Sequence, residues 1–191
     1  MDKPSAAQMH EEARRLYGVV PNFFKETGAY TAAPAAVYLI ADEALMNGVL
    51  SRREQQAVLL ELARIHDSRY DAAVHARMAL DAGLSPTLVG QLLDGKAVDD
   101  TRLQALVEAT HRSCEKRAWL TPDDIKQLRN QGVTRGDLYE IFALTGMKKM
   151  TAFTHHISNF AVEAPLKPID DQLGNRFQKP KTTRRQRLFV G

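Results

Sequence analysis

Cysteine is almost missing from this sequence: Cys114 is the only one among 191 residues. A disulfide within the chain, a C-x-x-C redox couple and a multi-cysteine zinc or iron–sulfur centre are all excluded. No apolar run approaches the roughly 20 residues that cross a bilayer. The opening "MDKPSAAQMHEEARR" also lacks the apolar centre of a secretory signal. A cytoplasmic protein without membrane contact is the expectation. Alternating β-branched runs are absent too, which leaves no confident strand.

Basic charge is scarce except at one end. The last 16 residues, "RFQKPKTTRRQRLFVG", hold six Lys and Arg and no acid, so the rest carries 20 basic against 23 acidic side chains. A mildly acidic body with a basic tail argues against a nucleic-acid-binding domain. The tail reads as an arm, and residues 169–191 are too polar to fold alone. They are expected to lie on a neighbouring subunit, leaving 1–168 as a single domain of ordinary size.

What is present is helix, at a period of 3.6 along nearly the whole body. Ser5 caps a first helix that Gly18 stops, and Pro21 opens a short one carrying two phenylalanines. Pro34 stands near the start of a third, which ends at Asn47-Gly48. "LSRREQQAVLLELARIH" has the capping-box form, Ser51 followed three residues later by Glu54. Its centre is apolar nearly all round, so this helix should be buried. Further helices start at about Ser68, at the caps Ser85 and Thr121, and near Thr134, and the last is expected to run until Pro165 and Pro168. The fold class is all-α, a multi-helix bundle.

The stretch "HDSRYDAAVHARMALDAG" sets Asp71 four residues before His75. At 100° per residue, Asp71, His75, Met78 and Ala82 share one stripe, and its apolar continuation points the pair inward. A carboxylate beside an imidazole orients the ring and favours its protonated form, which suits general acid or base work. A structural polar pair is the other reading of the same spacing. Ser68 and Tyr70, at the helix start, can hydrogen-bond a substrate or the ring.

The segment "LSRREQQAVLLELARIHDSRYDAAVHARMALDAGLSPTLVGQLLDG" resembles the core of the carboxymuconolactone decarboxylase family, which includes the alkylhydroperoxidase D group. The likeness is a buried helix, a polar turn, R-Y-[DE]-x-x-x-H and A-x-x-A-G-L-S, and it extends loosely over residues 5–165. It implies an alkylhydroperoxidase D-like bundle, assembled as a homo-oligomer, a trimer or a hexamer. In the peroxidase branch the same place reads C-x-x-C-x-x-x-H, with a glutamate twelve residues before the first cysteine. Aligned on His75, the cysteine positions here are Ser68 and Asp71 and the glutamate position is Gln56. Dithiol peroxide reduction is therefore not expected, and Cys114 has no resolving partner.

The decarboxylase branch keeps an acidic residue four before the histidine, as Asp71 is here. The resemblance then implies a cofactor-independent lyase removing CO2 from a small, anionic, lactone-type acid. His75 would donate a proton or meet the oxyanion, Asp71 would orient it, and an arginine would clamp the substrate carboxylate. Arg69 is the first candidate for the clamp and Arg53 the second. The long N-terminal region resembles peroxidase-related members instead, which leaves the substrate open. A non-catalytic member binding a small ligand or a partner, and a residual peroxidase, are the alternatives.

Other groups compete for attention. Glu54 and Glu61 share a face of the buried helix, either as substrate-binding carboxylates or as a cap and a salt bridge. His66 ends that helix. His155 and His156 diverge by 100° and do not face one metal together, so no metal and no cofactor are expected.

Overall fold

The computed structural model describes residues 5–177. Among them are ten α-helices and no strand: α1 Ala6–Tyr17, α2 Asn22–Gly28, α3 Ala33–Met46, α4 Arg52–Ile65, α5 Arg69–Asp81, α6 Pro86–Leu93, α7 Thr101–Glu115, α8 Pro122–Asn130, α9 Arg135–Ser158 and α10 Lys167–Leu173. No helix of the described residues is long and apolar enough to cross a membrane.

The helix starts follow local chemistry. Ser5, Ser51, Thr121 and Thr134 all form capping boxes, each side chain accepting from the backbone three residues on while that residue's side chain returns the bond. Such caps contribute about 1 kcal/mol each. Ser68 and Ser85 cap α5 and α6 in the simpler way.

Helix α4 is the axis of the molecule. Every residue from Gln55 to Ala63 is buried, as the all-round apolar sequence predicts, and α5, α6, α7 and α9 pack around it. Its buried Gln55 donates to the carbonyls of Leu45 (2.7 Å) and Leu50 (3.0 Å), which pins the turn from α3. Gly48 lies in that turn, so close to the Glu140 carboxylate that a Cβ would stand 2.2 Å from it. On the N-terminal side Phe23 and Phe24 are buried with Ala13, Leu39 and Tyr70. Each phenylalanine contributes on the order of 2–3 kcal/mol by burial.

Two sequence expectations need correction. Helix α9 ends at Ser158, not at the prolines, because Asn159 takes a left-handed conformation (φ 48°) and caps it. Pro165 and Pro168 instead begin a 3-10 turn, Ala164–Leu166, and α10, where a missing N–H is harmless. Residues 169–177 also do not stand apart from the body. Leu173 and Phe177 are buried, and Ile169 packs with them, against the core made by α4, α5 and α6. Ile169 and Leu173 share one face of α10 and Phe177 follows beyond its end, so residues 169–177 join the body of their own chain. The rest of the expected arm lies outside the described residues.

Candidate active site

Helix α5 delivers Asp71 and His75 to the interior as the stripe predicts, and both are 1 % exposed. They do not touch each other as predicted. Between them stands Lys148 of α9, itself 2 % exposed, with Nζ 3.1 Å from Asp71 Oδ1 and 2.8 Å from His75 Nε2. A third contact, to Tyr38 Oη, is longer at 3.5 Å.

The tautomer of His75 follows from these partners. An ammonium has no lone pair, so His75 Nε2 accepts from Lys148 and the ring proton is on Nδ1, where it meets Gln56 Oε1 at 3.0 Å. Burial first, and then the positive charges of Lys148 and Arg52, hold the imidazole well below its usual range. His75 is thus neutral in the folded chain. Burial alone would depress Lys148, but the facing Asp71 carboxylate outweighs it and the amine sits above its ordinary value. Lys148 is the cation of the cluster.

Asp71 is fixed from its other side. Ser68 donates to Oδ2 at 2.7 Å while capping the helix, and Thr151 Oγ lies 2.9 Å and 3.0 Å from the two carboxylate oxygens. Ser68 therefore orients Asp71 and does not reach the imidazole. Tyr70 is buried and donates to Glu163 Oε1 at 2.8 Å, so it does not touch His75 either.

The cluster forms the inner end of a cavity of about 400 Å³ between α2, α3, α4, α5 and α9. Phe23, Phe24, Leu59, Val74, Leu144 and Met147 give it a mostly apolar wall. The outer end carries Arg77, paired with Asp81, and Asp42, which accepts from Tyr17 Oη at 2.9 Å. Pro165 and Leu166 close part of the mouth.

None of the expected clamps lines this cavity. Arg69 donates to Asp170 Oδ1 (2.5 Å) and the Gly174 carbonyl (2.7 Å), tying α10 to α5. Arg53 pairs with Asp100 at 2.9 Å. Glu54 is occupied by its capping box and by Arg102 at 2.7 Å. Glu61 is buried away from the cluster, held by Arg64 at 2.8 and 2.6 Å and by His111 Nδ1 at 3.0 Å, beside a separate pocket of about 220 Å³. His66 ends α4 with its ring against Phe153, while His155 stacks on Tyr70 and His156 meets the Asp67 carbonyl at 3.3 Å. None of the three lines the cavity. Half-buried Cys114 stands apart on α7, its thiol pushed up by burial.

Sequence reading missed Lys148, Thr151 and Tyr38. A signal for the first existed: Ile141, Leu144, Lys148 and Ala152 recur at helical spacing on the buried face of α9, and a lysine in that register needs a buried partner.

The arrangement has solved counterparts. An uncharacterized peroxidase-related protein from Ralstonia eutropha JMP134, described as an alkylhydroperoxidase AhpD core, superposes with a TM-score of 0.72 at 17% identity, covering 87% of this chain and 93% of its own. This chain has the alkylhydroperoxidase AhpD core fold. An uncharacterized peroxidase-related protein from Silicibacter sp. TM1040 is similar at a TM-score of 0.70 and 19% identity, over 84% of this chain and 85% of its own. No family model matches the sequence, and no curated protein matches it. The AhpD-like fold agrees with the sequence resemblance, and the C-x-x-C positions carry Ser68 and Asp71.

Proposed function

We propose that this AhpD-like chain is a cofactor-independent acid/base enzyme of the lyase type, acting on a small lactone or carboxylic acid with an apolar body. One observation carries the reading: a buried ammonium, Lys148, contacts both Asp71 and His75 at the inner end of an apolar cavity. Lys148 takes the electrophile role that sequence had given to His75. Its third N–H has only the 3.5 Å contact to Tyr38, so a substrate oxygen can take that place.

In a decarboxylation the bond from carbon to the carboxylate breaks and CO2 leaves. Its electron pair forms an enolate whose oxygen accepts from Lys148. A fixed ammonium in an apolar site stabilises that oxyanion far better than water does. The ammonium then supplies the proton to the α-carbon and is recharged from solvent. His75 and Asp71 hold the amine in place, and Gln56 fixes the imidazole tautomer.

Carbon dioxide release from a panel of β-keto acids and carboxylated butenolides tests this. Turnover is expected from the natural chain and should fall by at least about a hundredfold in Lys148→Met. Equal rates in the two proteins would sink the assignment, and binding without turnover would replace the enzyme by a ligand carrier.

Assembly into a trimer or hexamer belongs to the same reading. It is supported by an exposed row on α9, Tyr139, Ala143, Gly146, Phe153 and Ile157, with half-buried Met150 in register. The spacing of alternately four and three residues is that of a helix-pairing seam. Sedimentation velocity is expected to show an oligomer that loses subunits when Phe153 and Ile157 are both changed to Glu. A monomeric natural chain would remove assembly from the proposal.

A further inference from the structure

A second pocket, of about 220 Å³, opens where α4, α6 and α7 meet, and it shares no lining residue with the cavity at Lys148. Its buried anchor is Glu61, 2 % exposed, whose two carboxylate oxygens are both occupied. Oε2 accepts from Arg64 Nε at 2.8 Å, and Oε1 accepts from Arg64 Nη2 at 2.6 Å and from His111 Nδ1 at 3.0 Å. This side-on pairing fixes the guanidinium but uses only two of its five N–H groups. The outer edge, with Nη1, has no acceptor among the described residues. Nη2 also comes within 3.3 Å of His111 Nδ1, a meeting of two donors, because the ring proton there is given to Glu61.

Gly95, left-handed at φ 66°, lies against that guanidinium, and a Cβ there would stand 3.2 Å from Arg64 Cζ and Nε. Glycine thus lets the loop after α6 hold the arginine closely. Further donors share the wall. Gln104 Oε1 accepts from the Val98 N–H at 3.0 Å, which leaves its amide NH2 without an acceptor among the described residues. Lys96 shares Asp94 with Arg176, at 3.1 and 2.6 Å, so one carboxylate serves two cations. His111 donates from Nε2 when it takes a second proton. Lysine and the two arginines therefore stand against only Glu61 and Asp94. The side chains of Arg64, His111 and Lys96 are 34, 53 and 67 % exposed, so a solute reaches them.

We propose that this pocket is a second ligand site, taking a phosphate or carboxylate group of a small molecule on the outer edge of Arg64, with Lys96, Gln104 and His111 as the surrounding donors. A guanidinium fork matches two oxygens of either group, and the buried Glu61 holds it ready in one orientation. The volume lies below the roughly 300 Å³ at which drug-sized ligands are held, so the ligand is small. Leu92, Ala97 and Val107 offer an apolar side to a short hydrocarbon body. The site is separate from the acid/base reading of the larger cavity and stands or falls without it.

Calorimetric titration of the full chain at low ionic strength with inorganic phosphate, phenyl phosphate and benzoate tests the proposal and separates the two anion classes. At least one of the three is expected to bind at a single site with Kd below about 5 mM. Lys96→Met combined with His111→Gln should weaken that binding about fivefold or more, since two charge-assisted donors are lost. Glutamine still offers Glu61 a donor, and Arg64 stays in place to neutralise it. Lys126→Met, which removes an exposed cation from α8, should change Kd by less than about twofold. Weaker binding of all three anions, a smaller loss in the double variant, or a comparable loss in Lys126→Met overturns the proposal, the last two because the anion then binds elsewhere or responds to net charge alone. Ring-proton NMR of the natural chain decides the matter without a variant: the bound anion should move the His111 signals, and unmoved signals overturn the site.

Discussion

Replacing Lys148 with methionine is expected to destabilise the fold by about 3–5 kcal/mol, the usual cost of removing one partner of a buried ion pair. Methionine fills nearly the same volume, so packing is not the issue. The loss arises because Asp71, 1 % exposed, keeps its charge with only the Ser68 and Thr151 hydroxyls to compensate. The pair is tied to one arrangement by Nζ at 3.1 Å from Oδ1 and 2.8 Å from the imidazole. Adding Asp71→Asn removes the stranded charge, and the double variant should recover a substantial part of the loss. Urea denaturation of the natural chain, both single variants and the double variant measures this coupling. A Lys148→Met cost below about 1 kcal/mol, or costs that simply add, would mean that the ammonium and the carboxylate do not pair in the folded protein.

Acid should weaken the protein well before its carboxylates titrate, and His75 is the reason. In the unfolded chain its imidazole takes a proton near the ordinary value of about 6.5. In the folded chain burial, Lys148 and Arg52 hold that value well below. As pH falls through 6.5 the unfolded state therefore binds more protons, and stability declines by up to about 1.4 kcal/mol per pH unit. The contribution is fully present above that range. His66 is lowered too, by burial and then by Lys149, and acts with the same sign. Comparing unfolding free energies at neutral and mildly acidic pH, His75→Gln should remove the larger part of the slope and His66→Gln a smaller part. A slope unchanged in His75→Gln would show that the ring is charged in the native state.

Much of the architecture was readable because it depends on near neighbours in the chain. The box at Ser51 and the caps at Ser85 and Thr121 are contacts over three residues, so their spelling is their structure. Burial of α4 followed from an apolar surface that leaves no face for water. The end of α9 was misread because a left-handed Asn159 can stop a helix without glycine or proline. Helix α10 was missed because its only buried or half-buried large apolar residues, Ile169 and Leu173, stand in a polar, proline-containing segment whose composition resembles a linker.

The site divided along the same line. The inward direction read for Asp71 and His75 matches their burial, since helical phase is local. Arg69 and Arg53 were chosen for closeness in sequence, yet they leave on other faces and meet Asp170 and Asp100. Gln56, aligned only as a replaced glutamate, proved to be the imidazole's own partner at 3.0 Å.

The sequence by itself determined an all-helical chain, most of its helix starts, the exclusion of an internal dithiol and the face on which Asp71 and His75 lie. Capping and amphipathic phase act over three or four residues, and composition needs no geometry at all. Tertiary structure alone decided that Lys148, 73 residues beyond His75, stands between the pair, and that Glu163, Pro165 and Leu166 join the cavity wall. Contacts across helices depend on crossing angles and on which buried stripes meet around α4, and no short-range spacing encodes those.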